Sequence, residues 1–357
     1  MKITFVVPTL NLAGGLRVVS IYAKLLAEKG HTVTVVSPGE RLPTFKEKIK
    51  SALNWKGYRF DSKFNQSFFE DAKYHVKILN SFRAVESSDV PNADIIIATF
   101  WNTAEWVASF TCEKGKKVYF IQHYEVHSWL PVERVKSTFY LPFEKIVVAQ
   151  WIADVLKKEH QQKSIVISNA VEQELFYASV RQKNKQVTFC MMYSQRAYKG
   201  SQWAFEVYNK MYAQYPSIKL LVFGLETYSQ DVGLPPNAEY YCQPSQDKIR
   251  EIYTQSDAYL FTSRIEGFGL PILEAMACRT PVIGTRCGAA PDLLNSGAGE
   301  LVDIDDSDAL FLAMEKIYYL SSVEWEYMSY KAYQEAISHS WVDKVSEFEC
   351  TLLTISR

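Results

Sequence analysis

RIEGFGLPILEAMACRTPVIGTRCGAAPDLL, residues 264–294, decides how the rest of the chain is read. It follows an apolar run, AYLFTS (258–263), that reads as a buried strand. The chain then turns through Glu266-Gly267-Phe268-Gly269 and enters a helix with Pro271 near its first position. Glycines at 267 and 269 let the backbone approach a ligand closely. The free N–H groups and the positive dipole end of the following helix favour a phosphate there. Glu274 lies about one turn into that helix, on the side of the loop. Two carboxylates bracketing a glycine-rich turn suit a ligand with hydroxyls on both sides of a diphosphate. A nucleotide sugar is such a ligand.

Outward from this stretch, apolar and amphipathic runs alternate along the chain, the pattern of an α/β architecture with parallel sheets. Strands are expected at ITFVVP (3–8), TVTVVSP (32–38), DIIIAT (94–99), KVYFIQ (117–122), KIVVAQ (145–150) and SIVISN (164–169). The first two flank a helix with Leu16, Val19, Tyr22, Ala23 and Leu26 on one face, a βαβ unit. Residues 40–75 are mixed, rich in Lys and Phe, and suggest no element. The rhythm restarts with VTFCMM (187–192), IKLLVFG (218–224), AEYYC (238–242), AYLFTS and TPVIGT (280–285). Between the halves lies VEQELFYASVRQKNKQ (171–186), polar and weakly patterned. Two doubly wound domains of similar size follow, 1–171 and 187–340, joined by a linker at 172–186 and facing each other across a cleft. Helices are expected at 309–320 and 323–337, and a last one, assigned to 341–357, returns to the first domain.

Composition narrows the classes. The 357 residues carry 39 Lys+Arg and 40 Asp+Glu, and 48% are hydrophobic, which excludes disorder, collagen and coiled coil. A net charge of −1 argues against a nucleic-acid binder. The six cysteines (112, 190, 242, 278, 287, 350) are scattered without a C-x-x-C pair, which fits neither a zinc ribbon nor a disulfide framework. MKITFVVPTL is too short an apolar run for a signal peptide, and no span of about 18 apolar residues occurs. The expected location is the cytoplasm.

Glu266 and Glu274 form an E-x7-E motif, and EGFGLPILEAMACRTPVIGT resembles glycosyltransferase family 4, retaining enzymes with the GT-B fold. The resemblance covers most of the chain. NLAGGLR (11–17) is similar to the family's N-terminal glycine loop, and IVISNAVEQELF (165–176) to its interdomain segment. Lys199-Gly200 matches the family's Lys-Gly, and Ser340-Trp341 the Ser-Trp before a helix that crosses back. YFIQHYE (119–125) is similar to a Gln-x-x-Glu segment of rhamnosyltransferase-like branches. The resemblance implies that Glu266 contacts the donor sugar, Glu274 binds the ribose, and Lys199 neutralises the leaving diphosphate. It further implies donor contacts from Gly14, Gly15, Gly224, Gly267, Phe268, Gly269 and Leu270, with the base near Tyr241 and Cys242. This chain departs from the pattern in three places. Ser194 and Tyr193 stand where an Arg is usual, with Arg196 as its substitute; Gly288-Ala289-Ala290-Pro291-Asp292 replaces a Gly-Gly-x-x-Glu loop; and Arg279 stands where Gly is common.

Some residues are candidates by position alone. His123 follows KVYFIQ, where strand ends line a ligand cleft, and is read as a contact to the transferred sugar or acceptor. Asn11, Arg17, Trp101, Asn102, Thr103 and Glu125 are candidates for the acceptor side. Asp303, Asp305, Asp306 and Asp308 contain a D-x-D, but read better as a strand end and a helix cap than as metal ligands. No metal and no other cofactor is expected.

The expected activity is transfer of a hexose with retention, from a nucleotide-diphosphate sugar to a saccharide or lipid-linked acceptor in surface polysaccharide synthesis. UDP-glucose is the default donor on family frequency, and dTDP-rhamnose is the alternative. Three rivals stay open: a glycoside hydrolase using the two glutamates, a dehydrogenase, disfavoured because no G-x-G-x-x-G follows the first strand, and a nucleotide-sugar-binding subunit without turnover. Residues 1–178 hold 23 basic and 18 acidic groups and the remainder 16 and 22, so the net charges are +5 and −6. A basic first domain suits peripheral contact with the inner face of a membrane, or an acidic glycan.

Overall fold

The computed structural model describes residues 1–40, 68–70, 72–226 and 233–357. Most of the stretch that suggested no element falls outside them. The chain divides into two compact units, Met1–Ile167 with Val345–Arg357, and Ser168–Lys344.

The first unit is built on β1 (Lys2–Val6), β2 (Thr32–Ser37), β3 (His75–Ile78), β4 (Ile95–Ala98), β5 (Lys116–Ile121), β6 (Glu144–Val147) and β7 (Ile165–Val166). They form one parallel sheet in the order β3-β2-β1-β4-β5-β6-β7. Helices α1 (Gly14–Glu28), α2 (Trp101–Ala108), α3 (Val132–Thr138) and α4 (Gln150–His160) connect them. The central strands are apolar on both faces because helices cover both, as a parallel sheet requires. Helix α1 buries Leu16, Val19, Tyr22, Ala23 and Leu26, the face its spacing predicts.

The second unit holds β8 (Thr188–Met192), β9 (Lys219–Gly224), β10 (Ala238–Cys242), β11 (Ala258–Phe261), β12 (Val282–Thr285) and β13 (Gly299–Val302). Their order is β10-β9-β8-β11-β12-β13, again all parallel. Its helices are α5 (Ser201–Gln214), α6 (Gln246–Thr254), α7 (Leu270–Ala277), α8 (Ala290–Leu294), α9 (Ser307–Tyr319) and α10 (Ser322–Ile337). In each sheet the strand order reverses once, between β1 and β4 and between β8 and β11. Loops at the carboxyl ends beside such a reversal open a crevice for a ligand.

Helix α11 (Trp341–Ser356) starts in the second unit and ends in the first. There Phe348, fully buried, lies 4.5 Å from the Tyr22 ring and 5.1 Å from that of Phe120. Val345 and Leu352 are buried beside it in sequence, one helical turn to either side.

The polar run expected as a linker lies inside the second unit, and its polarity is what fastens it there. The Arg181 guanidinium stacks 4.5 Å over the Trp325 ring and donates to the Ser256 carbonyl, with the buried Asp257 3.9 Å away. Lys183 donates to the carbonyls of Tyr318 and Leu320, both at 2.7 Å. Asn184 binds Asp257 and the Gln255 carbonyl. Arg279, which replaces the usual Gly, has φ +59°, the left-handed region where glycine is favoured. Its guanidinium sits 3.9 Å over the Tyr333 ring and donates to the Ala178 carbonyl, contacts that offset the strain.

Candidate functional site

The second-unit site begins where β8 and β11 end. After β8 the chain makes a single 3-10 turn, Ala197–Lys199, and enters α5 through Gly200. Gly200 has φ +69°, and a Cβ there would meet the Thr262 carbonyl oxygen at 2.0 Å, so only glycine lets this loop lie against the end of β11. The contact carries Lys199 toward the loop that opened the sequence reading. Its ammonium donates to Glu266 Oε1 at 2.5 Å, and Ser263 Oγ donates to the same oxygen at 2.8 Å. Both partners are mostly buried.

The loop around Glu266 is braced from two sides. Gly269 caps α7 with φ +97°, and a Cβ on it would lie 2.9 Å from the Phe261 ring. Gly288 has φ +59°, and its Cβ would meet the Phe268 carbonyl at 2.6 Å. Ala289 N donates to that carbonyl at 2.8 Å. Phe268 itself is buried, while Leu270 opens α7 with Pro271 in its first turn, a start suited to free N–H groups. Glu274, buried on α7, accepts from the Tyr253 hydroxyl at 3.4 Å. Burial pushes the Tyr253 phenol well above its ordinary range, with the Glu274 charge adding to it, so the hydroxyl keeps its proton and serves as a donor.

Other expected donor-side residues end β9 and β10. A Cβ on Gly224 would meet the Tyr193 carbonyl at 2.5 Å, and the Gly224 carbonyl accepts from Gln243 N at 2.7 Å. Tyr241 is drawn to Glu239 at 2.6 Å and lies under the Lys248 ammonium, and the Cys242 thiol sits 3.7 Å from the Glu226 carbonyl. Arg196 turns to the Tyr198 hydroxyl at 2.8 Å.

In the first unit, Gly14 and Gly15 open α1. No side chain caps that helix, because Asn11 Oδ1 accepts from Ala13 N at 2.7 Å in a turn one step earlier. Gly15 faces Gln122, whose Cβ a methyl there would touch at 3.4 Å. Arg17 sits within the first turn of α1, its N–H bonded to the Ala13 carbonyl. After β4, Thr103 Oγ1 accepts from Thr99 N and Phe100 N, both at 2.9 Å, which makes it a helix-start residue. Trp101 is covered by the Arg134 guanidinium at 4.9 Å, and Asn102 follows it in the first turn of α2. Glu125 is buried and its carboxyl accepts from Trp101 N at 2.9 Å. Burial holds that carboxyl well above the ordinary range, opposed by the same N–H. His123 Nδ1 lies 3.3 Å from His127 Nε2, and the His127 ring stacks on the half-exposed Trp129 at 4.6 Å. Burial moves His127 below the usual histidine range.

The acidic run sorts into partners within the unit. Asp303 pairs with Arg286 at 3.0 Å, Asp305 with Arg264 at 2.5 Å, and Asp306 caps α9 by accepting from Ala309 N at 2.9 Å. Sequence reasoning missed Ser263, Tyr253 and Arg264. Their spacing from Glu266 and Glu274 carries no signal, because the contacts depend on how the loops pack.

With this geometry in view, residues 172–335 match the family model described as "Glycosyl transferases group 1". The match lies wholly within the second unit. The whole chain has the fold of GT-B glycosyltransferases: Anabaena HepE, solved in complex with UDP, aligns over 99% of this chain and 100% of its own at a TM-score of 0.73 and 16% identity. Among curated proteins, the N-acetyl-alpha-D-glucosaminyl L-malate synthase of Bacillus anthracis is 44% identical over 63 residues, 17% of this chain and 16% of that protein. The phosphatidylinositol N-acetylglucosaminyltransferase gpi3 subunit of Schizosaccharomyces pombe is 25% identical over 198 residues, 52% of this chain and 42% of that protein. The matched stretches thus span less than half of these curated relatives' length. No helix among the described residues is long and apolar enough to cross a membrane.

Proposed function

We propose that this protein is a retaining glycosyltransferase that moves a hexose from a UDP-sugar to a saccharide or lipid-linked saccharide acceptor. The observation that carries the reading is the Lys199–Glu266 pair at the ends of β8 and β11, beside the point where the strand order reverses. Departure of a nucleoside diphosphate leaves an oxocarbenium-like sugar, so the protein's task is to stabilise negative charge on the phosphates. The Lys199 ammonium and the N–H groups at the start of α7 would supply that stabilisation. Glu266 would hold the sugar's hydroxyls and Glu274 the ribose, while the leaving phosphate takes the acceptor's proton on the same face. Metal independence belongs to the same proposal, and activity that survives EDTA supports it.

HepE's complex with UDP supports the choice of base. Peripheral attachment of the first unit to anionic lipid is a further part of the reading. Co-sedimentation with anionic vesicles at low salt tests it, and its absence removes it.

The main test is a thermal-shift titration with UDP-, GDP- and dTDP-sugars, followed by assay of nucleotide release and proton NMR of the product's anomeric centre. Stabilisation by a UDP-sugar with release of UDP and a retained anomer is expected. Stabilisation by dTDP-rhamnose alone would move the reading to that donor. Release of sugar from an oligosaccharide without any nucleotide would overturn it in favour of a hydrolase, and nucleotide-sugar binding without turnover in favour of a binding subunit. Glu274→Ala should weaken UDP binding about tenfold, the loss of one charge-assisted hydrogen bond.

A further inference from the structure

Resting on that reading, we infer that Arg264, held by Asp305, is a positioning residue that sets the height and direction of the Lys199 ammonium. The 3-10 turn bearing Lys199 has three consecutive carbonyls, and all three are engaged by the segment that follows β11. The Ala197 carbonyl accepts from Arg264 Nη1 at 2.5 Å, the Tyr198 carbonyl from Arg264 N at 2.7 Å, and the Lys199 carbonyl from Thr262 Oγ1 at 3.3 Å. One of these donors is a main-chain group any residue supplies. Of the two side-chain donors, the Thr262 hydroxyl and the Arg264 guanidinium, the guanidinium makes the shorter, charge-assisted bond.

The far edge of that guanidinium is fixed in turn. Arg264 Nε lies 2.8 and 3.0 Å from the two Asp305 oxygens, and a second nitrogen is 2.5 Å from Oδ1. Asp305 adopts φ +63°, a conformation that costs a residue with a Cβ and that places its carboxylate at the end of β13. A single planar cation therefore joins the loops after β8, β11 and β13. A lysine cannot reproduce this, because one ammonium cannot span a carbonyl on one side and a carboxylate on the other. The acidic run that resembles a metal motif thus has a different use: one of its members anchors the side chain that orients the diphosphate-binding lysine.

Arg264 is two residues from Glu266, but no contact between its guanidinium and Glu266 is needed for this role. Its effect passes through the backbone of 197–199. A misplacement of the ammonium by about 1 Å lowers kcat by up to about 100-fold while leaving most ground-state binding intact. The distinguishing test is a double-mutant cycle on the full chain. Arg264→Gln should lower kcat about 10- to 100-fold with the donor KM within about threefold of wild type, and Asp305→Asn should move kcat in the same direction by less. In a Lys199→Met background, Arg264→Gln should cost no further activity, because there is no ammonium left to place. Arg264→Lys should fail to restore the rate.

Additive losses in the cycle, or a rise in KM at constant kcat, would overturn the inference. So would an unchanged rate in Arg264→Gln. If that variant unfolds, Asp305→Asn in the same cycle decides the matter. If wild type itself releases no nucleotide from any nucleotide sugar, the transferase reading fails first, and the fit of UDP to wild type and variants by calorimetry separates that failure from this one.

Discussion

At the ends of β8 and β11 a lysine, a glutamate and a serine hydroxyl meet within 2.8 Å, on loops that three glycines hold in shapes other residues cannot take. At the ends of β4 and β5 in the first unit, the Glu125 carboxyl group is buried and accepts from the first N–H of α2. Near it stand Trp101, covered by the Arg134 guanidinium, Asn102, and the stacked pair His127–Trp129. The two regions share the same doubly wound plan, yet the strand-end glutamate meets a lysine in one and a backbone N–H in the other. A glutamate at a strand end therefore says little until its partner is known.

The contrast breaks most sharply at Lys199. Lys199→Met should lower turnover about 10²- to 10³-fold, the typical loss of one charge-stabilising donor, while the thermal midpoint stays close to wild type. A large fall in midpoint with unchanged kcat would make the pair structural and erase the distinction. Glu125→Ala should show the reverse: the first unit loses about 1–3 kcal/mol because Trp101 N–H is left without its partner, and UDP affinity is unchanged. Urea unfolding and calorimetric titration measure both quantities.

A pH series sharpens the second case. The Glu125 carboxyl is raised above its ordinary value of 4.5, so the folded state keeps a proton that the unfolded chain has released. Stability should then fall as pH rises from that value toward the raised one. Glu125→Gln, which keeps the acceptor and removes the titration, should match wild type at low pH and exceed it at pH 8 in thermal midpoint. A wild-type profile unaffected by the substitution would show that the carboxyl is ionised in place. The smallest effect belongs to Arg196→Ala: its side chain turns to Tyr198, an exposed contact worth at most about 1 kcal/mol, so turnover should change less than about fivefold. A loss as large as that of Lys199→Met would place Arg196 on the phosphates.

Much of the fold was legible because parallel strands buried on both faces read as unbroken apolar runs, as in DIIIAT and VTFCMM. β3 escaped because HVKI sits at a sheet edge with its outer residues exposed, and such a strand needs little apolar content. β7 keeps only two residues of SIVISN, since pairing with β6 stops there. The glycine turn and its two glutamates were visible as spacing. What spacing could not convey was direction. Nothing in YFIQHYE tells that Glu125 turns into the protein, and nothing in residues 171–186 tells that their polar side chains grip carbonyls of the second unit. Those outcomes depend on partners 24 to 137 positions away.

Phe348 and its neighbours on α11 carry one more consequence, for the order in which the molecule is made. The first unit's core includes side chains that follow the whole second unit in the chain, so residues 1–167 emerge from the ribosome with a slot beside Tyr22 and Phe120 still vacant. Unlike an amino-terminal domain that is contiguous in sequence, this one has its full set of core residues only after the second unit has been made.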